Sequence, residues 1–283
     1  MSDTQVIIFS KERTLQLNSL ITSLLHFSDL TENNIAILFK TKKQISYQKL
    51  FDKYECQFVE ERSFLNDVKE IIQTNNKKYC MFLVDDLIIR DYFSIDVMES
   101  ILDLDNDVTT FSLRLGDNIL DGISPKFKVL PNSVLTWRTN KSYGKSWNYI
   151  WELSSSMYRS EFVNSYLEEC NPEYVNFPNP LESYYYGCNP SQYVTKNRLL
   201  RKLKFFRKTE AKGMASFNLS KAFTQGVNLV ANRNINYKDY YSPLKLHEKF
   251  LDGYGIDYLS LSNILNEKPN AGISHFNLIK YES

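Results

Sequence analysis

Short apolar runs recur along the first 115 residues of the chain. Most of them are rich in β-branched side chains, a pattern typical of buried β-strands. Because the runs are continuous rather than alternating, they indicate strands that are covered on both faces, as in a parallel sheet. The predicted strands are Gln5–Phe9, Ile35–Phe39, Tyr79–Val84 and Val108–Leu115.

Helical patterns separate these runs. Leu17 and Leu20 begin a series of apolar residues at helical spacing, which places them on one face of a helix, and Thr14 is the predicted N-cap. Similar patterns predict helices over residues 65–72 and 95–102. Strands that alternate with helices are typical of an α/β fold. We therefore predict a Rossmann-like, mostly parallel sheet that is flanked by helices.

After Leu115 the regular pattern weakens. Prolines, glycines and asparagines become frequent, which predicts long loops and short strands. The chain contains no internal repeat and no low-complexity linker. We therefore expect a single domain over residues 1–283, with a ligand-binding half over residues 1–115 and a loop-rich second half over residues 116–283.

Two adjacent carboxylates end the most apolar of the predicted strands. Asp85 and Asp86 directly follow Tyr79–Val84. Ligands of open α/β sheets bind beyond the carboxyl ends of the strands, and two carboxylates in that place suit a hard cation such as Mg²⁺ or Mn²⁺. A pair of aspartates can equally cap a helix or lie in a solvated turn, so the residues alone leave both interpretations open.

Composition narrows the class of protein. The formal net charge is +1, whereas general nucleic-acid-binding proteins carry a basic excess. Hydrophobic residues make up 43% of the chain, which is enough for a sizeable core. The four cysteines lack the C-x-x-C spacing of zinc sites. Since there is neither a signal peptide nor an apolar run of about 18 residues, we expect a cytoplasmic protein that binds no nucleic acid.

Residues 197–212 form a strongly basic segment. Leu199, Leu203 and Phe206 fall on one helical face, and arginines and lysines occupy most of the remaining positions. Such a helix can lie on an anionic membrane surface, which would make the protein peripheral on the inner face of the plasma membrane. It can also pack its apolar face on the domain, or close as a mobile segment over a phosphate-bearing ligand.

Several phrases of the sequence resemble those of nucleotide-sugar glycosyltransferases with the GT-A fold, of the bacterial surface-polysaccharide type. The opening phrase, IIFSKERTLQLNSLITSL, is similar to F-S-x-x-R-P-x-Q-L of one subgroup, with Thr14 in place of the proline. MFLVDD resembles the metal-binding DxD motif, with Val84 in place of the first aspartate. Further similar phrases, in the same order, are FSLRLGDN (111–118), NPLES (179–183) and the C-terminal part from residue 228 onward.

This resemblance implies a metal site. Asp86 matches the aspartate that holds the metal, and Asp85 matches a position near the ribose of the nucleotide. His275 matches a C-terminal histidine that adds a further metal ligand. The implied cofactor is Mn²⁺ or Mg²⁺.

The resemblance also implies binding and catalytic roles. Ser10, Arg13 and Arg114 are expected to bind the nucleotide or its diphosphate, where the fixed donors of arginine suit phosphate oxygens. Glu182 matches the acidic residue on the acceptor side and is the candidate general base. Trp147 and Tyr184–Tyr186 are candidates for stacking on a sugar ring, with packing in the core as the more common role of any one of them.

The implied function is metal-dependent transfer of a sugar from a nucleotide sugar to a hydroxyl acceptor, with inversion, in polysaccharide or glycoconjugate biosynthesis. A UDP-sugar is the default donor, and the acceptor is a saccharide or a lipid-linked saccharide. Residues 1–115 would bind the donor and residues 116–283 the acceptor. Two alternatives stay open: an inactive nucleotide- or sugar-binding module, and a nucleotidyltransferase, although the loop after the first strand lacks the expected glycines.

Overall fold

A computed structural model describes residues 2–42, 44–186, 211–228, 241–273 and 275–281 of the chain. The strands in these ranges are β1 (Thr4–Lys11), β2 (Ile35–Lys40), β3 (Gln57–Glu60), β4 (Tyr79–Val84), β5 (Leu87–Ile89), β6 (Val108–Ser112), β7 (Lys128–Leu130), β8 (Val134–Arg138), β9 (Ser155–Arg159), β10 (Gly213–Phe217), β11 (Ala222–Thr224), β12 (Tyr254–Ile256) and β13 (Leu278–Lys280). The α-helices are α1 (Thr14–His26), α2 (Gln48–Phe51), α3 (Phe64–Asn75), α4 (Ile95–Leu104), α5 (Ser160–Glu168), α6 (Pro178–Tyr185), α7 (Pro243–Leu251) and α8 (Tyr258–Leu261).

A nine-stranded sheet forms the centre of the part of the chain that the structure describes. Its strand order is β3-β2-β1-β4-β9-β6-β10-β8-β7. β9 and β8 are antiparallel to both of their neighbours, and the other neighbouring pairs are parallel. All strands of this sheet except β8 and β9 therefore run in one direction, which confirms the prediction of a mostly parallel sheet.

The sheet is buried between two apolar layers. Val6 and Ile8 of β1 face one layer, which includes the apolar faces of α1 and α4. The alternate residues, Ile7 and Phe9, face the other layer, which includes α3 and α5. Because helices cover both faces, Thr4–Ser10 is buried throughout, which explains why this strand reads as a continuous apolar run. The predicted α/β fold with flanking helices is confirmed.

Strand β9 belongs to the second half of the chain but lies between β4 and β6. Its first residue, Ser155, pairs with Leu83 of β4, and Ser156 pairs with Ser112 of β6. Because β9 runs in the opposite direction, it begins at the edge of the sheet where β4 and β6 end. We call this edge the carboxyl edge. The residues that precede β9 thus lie beside the residues that follow β4 and β6.

The structure confirms the predicted strand Tyr79–Val84 and corrects one predicted cap. Helix α1 begins at Thr14, so Arg13 and not Thr14 occupies the N-cap position. The Thr14 hydroxyl is instead 2.8 Å from Nδ1 of His247. A distant partner has therefore replaced the local hydrogen bond that the sequence pattern predicted.

Two sequence predictions concern membranes. Within the basic segment, residues 197–210 lie outside the described residues, so its helical pattern is not tested. Among the helices that the structure describes, none combines the length and the apolar character that crossing a membrane requires.

His247 joins α7 to the beginning of α1. Its ring is buried, and the Ser46 N–H donates to Nε2 across 3.4 Å. Because Nε2 accepts a hydrogen bond, the neutral ring carries its proton on Nδ1 and donates it to the Thr14 hydroxyl. Burial lowers the pKa of His247 below its ordinary value, so the ring is neutral at pH 7.

We predict that His247 lowers the stability of the protein as the pH falls below about 6.5, the ordinary pKa of histidine. In this range the unfolded chain takes up a proton on His247, whereas the folded protein does so only at lower pH, so acid favours unfolding. Melting temperatures of the wild type and of His247→Gln, measured from about pH 8 to about pH 5, test this. The variant should lose less stability with acid, and an equal loss in both proteins would assign the effect to another group.

Candidate active site

The guanidinium of Arg13 joins the two aspartates that follow β4. Nη1 of Arg13 donates to Asp85 Oδ1 at 2.8 Å and to Asp86 Oδ2 at 3.0 Å. Arg13 and Asp85 are buried, whereas the side chain of Asp86 is 15% exposed. Burial acts to lower the pKa of Arg13, but the two carboxylates raise it above its ordinary value. Arg13 therefore remains a cation and partly neutralises two carboxylates at the carboxyl edge.

Asp85 accepts hydrogen bonds on both of its oxygens. Besides the bond from Arg13, the Lys11 N–H donates to Asp85 Oδ2 at 3.0 Å. Burial raises the pKa of Asp85, while Arg13 and the Lys11 N–H favour the carboxylate. This aspartate therefore attaches the loop after β1 to the end of β4.

A left-handed turn at Glu12 makes this arrangement possible. Glu12 has a φ of 58°, which is uncommon for a residue with a Cβ atom. The turn lets the Lys11 N–H and the Arg13 side chain reach the same carboxylate, Asp85, from opposite sides of Glu12. Strained backbone conformations of this kind are often found at functional sites.

Asp86 is the residue at this site with a carboxylate oxygen available to a metal ion. Asp86 Oδ1 accepts no hydrogen bond from the described residues, whereas each of the two oxygens of Asp85 already accepts one. Within the described ranges, no three side chains of His, Cys, Asp and Glu cluster as metal ligands, so His275 does not join the two aspartates in such a group. Mg²⁺ is often held by one carboxylate together with substrate phosphates and water. The residues therefore fit a cation that Asp86 shares with a phosphate-bearing ligand.

A cavity of about 200 Å³ opens at another part of the carboxyl edge. This volume is smaller than the roughly 300–1,000 Å³ of pockets that enclose whole drug-sized ligands, so it suits a small polar group. Cationic, acidic, hydroxyl and aromatic side chains are combined in its wall. The lining residues are Ser112, Arg114, Leu115, Lys145, Ser146, Tyr149, Glu152 and Pro269.

Arg114 and Glu152 form an ion pair in the wall of this cavity. Arg114 follows β6 and Glu152 precedes β9, so the pair spans two neighbouring strands, and Arg114 Nη2 donates to Glu152 Oε1. The hydroxyls of Ser155 and Ser156 donate to Glu152 Oε2 at 3.2 and 2.7 Å. Because Arg114 and the two serine hydroxyls hold both oxygens of the buried Glu152, this residue orients Arg114.

Glu182, in α6, lies beside this ion pair. The Leu153 N–H donates to Glu182 Oε1 at 2.7 Å, and the Tyr149 hydroxyl donates to Oε2 at 3.3 Å. Burial raises the pKa of Glu182 to about 7, and the charge of Glu152 acts in the same direction. A carboxylate with such a pKa can accept a proton near neutral pH. The hydrogen bond from Tyr149, a residue of the cavity wall, connects Glu182 to the cavity.

The segment 224–225 connects the aspartates to the cavity. Arg114 Nη1 donates to Thr224 Oγ1 at 3.2 Å, which places Thr224 beside the cavity. The next residue, Gln225, donates its N–H to the main-chain carbonyl of Asp86 at 2.7 Å. The two parts of the carboxyl edge are therefore neighbouring regions of one site.

Not every residue predicted from the sequence is open to a ligand. The hydroxyl of Ser10 lies at the end of β1 but is bonded to the Tyr47 hydroxyl at 2.8 Å. Trp147 is fully buried and packs against Trp137, so of the two roles considered for it, packing is confirmed and stacking on a sugar ring is not. Its indole fills the core beneath the cavity wall instead of facing solvent.

Glu152 and Tyr149 lie in the cavity wall, but no local sequence pattern pointed to them. Glu152 lies between Trp151 and Leu153, and a carboxylate flanked by two large apolar residues is a weak signal of a buried functional group. Tyr149 had no distinguishing signal among 19 tyrosines. Both residues reach the site because β9 is inserted next to β4, a pairing that no local pattern predicts.

Over part of its length the chain is similar in sequence to a known glycosyltransferase. No protein-family model matches the sequence. The bifunctional glycosyltransferase pgtA of Dictyostelium discoideum is 24% identical over 214 residues, which cover 63% of this chain. The chain spans 27% of the length of pgtA. This similarity supports the resemblance to glycosyltransferases that the sequence phrases indicated.

Solved structures with partly similar folds include TarS of S. aureus and a cytidylyltransferase. TarS matches with a TM-score of 0.43 and 11% identity, over 77% of this chain and 35% of the TarS chain. TarS 1–349 in complex with UDP-GlcNAc matches with a TM-score of 0.40 and 8% identity, over 82% and 60% of the two chains. The cytidylyltransferase of Leptospira borgpetersenii matches with a TM-score of 0.32 and 8% identity, over 65% and 73%. These similarities are distant, so the site is assigned from its own geometry.

We predict that Glu12→Gly is more stable than Glu12→Ala by about 1 kcal/mol. Both variants lose the ion pair with Lys42, but glycine adopts a positive φ without the steric cost that alanine retains. Urea unfolding of the two variants measures the difference. Equal stabilities, or a more stable Glu12→Ala, would contradict a left-handed conformation at residue 12.

Proposed function

We propose that this chain is a glycosyltransferase that moves a sugar from a nucleotide sugar to a hydroxyl acceptor. The observation that carries the proposal is the placement of two unlike sites on one carboxyl edge: the cluster of Arg13 with Asp85 and Asp86, and Glu182 with its pKa of about 7. The first suits a diphosphate and the second suits proton transfer from an acceptor. The partial similarity to a glycosyltransferase supports the same class of reaction.

The diphosphate of the donor is proposed to lie against Arg13 and Asp86. The fixed N–H donors of a guanidinium suit phosphate oxygens, and Nε of Arg13 donates to none of the residues that the structure describes. Mn²⁺ or Mg²⁺ held by Asp86 would neutralise charge on the departing diphosphate. The nucleoside, with uridine as the proposed base, would extend over the loop after β1 toward Ser10 and Asp85.

Glu182 is the proposed general base. The acceptor hydroxyl would enter the cavity beside Tyr149, and its proton would pass to Glu182 directly or through the Tyr149 hydroxyl. The acceptor oxygen then bonds to the anomeric carbon while the bond from that carbon to the diphosphate oxygen breaks, and its electron pair leaves with the nucleoside diphosphate. Arg114, which Glu152 orients, supplies positive charge beside the reacting atoms. One such displacement inverts the anomeric configuration.

We further propose that the acceptor is a saccharide or a lipid-linked saccharide, and that the product enters a polysaccharide or glycoconjugate in the cytoplasm. The cavity wall supports a sugar acceptor because it combines the serine hydroxyls of Ser112 and Ser146 with the aromatic ring of Tyr149. The phrases that resemble surface-polysaccharide enzymes support the same class of product.

We predict that Glu182→Gln lowers the turnover number by about 10²–10⁴-fold while leaving the affinity for the donor nearly unchanged. Glutamine keeps the shape of the side chain and an oxygen for the Leu153 N–H, but it cannot take the proton. Turnover with a saccharide acceptor, and nucleotide-sugar binding by calorimetry, separate the two effects. In the wild type, kcat/KM should rise with pH through about 7, and the variant should lack this rise.

The stability of Glu182→Gln, compared with that of the wild type, serves as the control for the turnover measurement. Between the ordinary pKa near 4.5 and about 7, the folded protein keeps a proton on Glu182 that the unfolded chain releases. Ionised Glu182 therefore lowers the stability at about pH 8, and Glu182→Gln should be at least as stable as the wild type there. Glu152→Gln, by contrast, should lose stability because it weakens the pair with Arg114. If Glu182→Gln keeps the turnover number of the wild type, Glu182 is not the general base.

We also predict that Asp86→Asn abolishes the effect of Mn²⁺ on nucleotide binding. In the wild type, Mn²⁺ should tighten UDP binding by about tenfold or more relative to the same titration in EDTA. Asparagine can still accept from Arg13, so binding in EDTA should persist. Calorimetric titration of UDP with and without Mn²⁺ measures this.

The matched control is Asp91→Asn, which changes a partly exposed aspartate paired with Lys221 away from the cluster. That variant should keep the effect of Mn²⁺. If Asp86→Asn also keeps it, the metal is bound by other residues.

A further inference from the structure

Gln225 is a buried amide whose side chain has no hydrogen-bond partner among the residues that the structure describes. It is 1% exposed, and neither its Oε1 nor its Nε2 is hydrogen-bonded to any residue of the described ranges. Burial of an unpartnered polar group costs free energy, and the large majority of buried side-chain polar atoms in proteins are hydrogen-bonded. Packing alone therefore does not explain a glutamine at this position.

Other unpartnered atoms lie on residues linked to the same segment. Arg13 Nε and Gln16 Oε1, at the beginning of α1, are also buried and accept or donate no hydrogen bond within the described part of the chain. Both residues are hydrogen-bonded to Asn228. Gln16 Nε2 donates to the Asn228 Oδ1 at 3.2 Å, and Arg13 Nη2 donates to the main-chain carbonyl of Asn228. The unpartnered atoms thus lie on Gln225 and on two residues that are hydrogen-bonded to Asn228, three positions further along the same segment.

The main chain places Gln225 between the two parts of the site. Its own N–H is bonded to the carbonyl of Asp86, where the diphosphate is proposed to bind. Its neighbour Thr224 is bonded to Arg114, in the wall of the acceptor cavity. In a nucleotide sugar that reacts with an acceptor, the group between the diphosphate and the acceptor is the sugar that is transferred.

We propose that Gln225 binds a hydroxyl group of the transferred sugar. A sugar hydroxyl both donates and accepts hydrogen bonds, so it can pair with the unpartnered Oε1 or Nε2 of Gln225. This inference rests on the proposed function and extends it, because it assigns to one residue the recognition of the sugar as distinct from the nucleotide. The cost of keeping the amide unpartnered in the free protein is then offset when the donor binds.

The test replaces Gln225 by methionine, which is similar in size but makes no such hydrogen bonds. If the amide is unpartnered in the free protein, Gln225→Met should not lower the melting temperature and should raise it by about 2–4 °C. The matched control is Gln5→Met. Gln5 is also buried, but its Nε2 donates to the carbonyls of Val6 and Asn34 at 3.1 and 3.0 Å, so its loss should lower the melting temperature.

Ligand binding is measured with UDP and with a panel of UDP-sugars, in the presence of Mn²⁺. The wild type should bind one UDP-sugar more tightly than UDP. In Gln225→Met this sugar-dependent gain should fall by about tenfold, while the affinity for UDP itself stays within about twofold. Gln5→Met should keep the gain. A second variant, Gln225→Glu, keeps the shape but loses the amide donor, and it should also bind the UDP-sugar more weakly than the wild type.

The outcomes separate this inference from the proposed function. If Gln225→Met and Gln225→Glu keep the full preference of the wild type for the UDP-sugar, Gln225 does not bind the sugar and the inference is overturned while the function stands. If they lose affinity for UDP equally, Gln225 binds the nucleotide and the inference is likewise overturned. If the wild type binds neither UDP nor any nucleotide sugar in a wider panel of UDP-, GDP- and dTDP-sugars, the proposed function and the inference fail together.

Discussion

One guanidinium, that of Arg13, lies between two carboxylates at the end of the central strand β4, and the geometry of the site depends on it. Arg13 binds Asp85, Asp86 and the main chain of Asn228, so it connects the beginning of α1 to two other segments. Removal of one partner from a buried ion pair typically costs about 3–5 kcal/mol, because the other charge is left unpaired. Arg13 is therefore both a structural residue and the cation that partly neutralises the two carboxylates at this edge of the sheet.

The carboxyl edge also shows how two residues of the same type acquire different roles. Glu152 receives hydrogen bonds from Arg114 and from two serines, and these bonds hold it as an orienting group. Glu182 receives a single N–H and a single hydroxyl, and burial raises its pKa to about 7. Environments that differ in this way are how proteins assign unlike acid–base tasks to neighbouring carboxylates. The proposed base is therefore identified by its surroundings more than by its sequence motif.

Local patterns in the sequence predicted much of the fold. Continuous apolar runs predicted strands such as Tyr79–Val84, and helical stripes predicted the helices that cover them, because the burial of both sheet faces leaves a direct trace in the sequence. The same reasoning placed Asp85 and Asp86 at the carboxyl edge, since it depends only on strand direction and order.

What the sequence did not reveal depends on contacts between distant residues. The cap predicted at Thr14 was wrong because His247, 233 positions away, takes the hydroxyl. The contact of Arg13 with Asp85 depends on a left-handed Glu12, a conformation that residue type does not favour. Glu152 joins the site because β9 inserts beside β4, and such long-range strand pairing has no local signature.

The most direct test of this account is a crystal structure of the protein with Mn²⁺ and a non-hydrolysable UDP-sugar. We predict that the diphosphate lies within hydrogen-bonding distance of Arg13, that Asp86 is bound to the metal, and that the anomeric carbon faces the cavity beside Tyr149. A nucleotide bound elsewhere on the molecule, with the contacts of Arg13 and both aspartates unchanged, would contradict the assignment of the carboxyl edge as the site of sugar transfer.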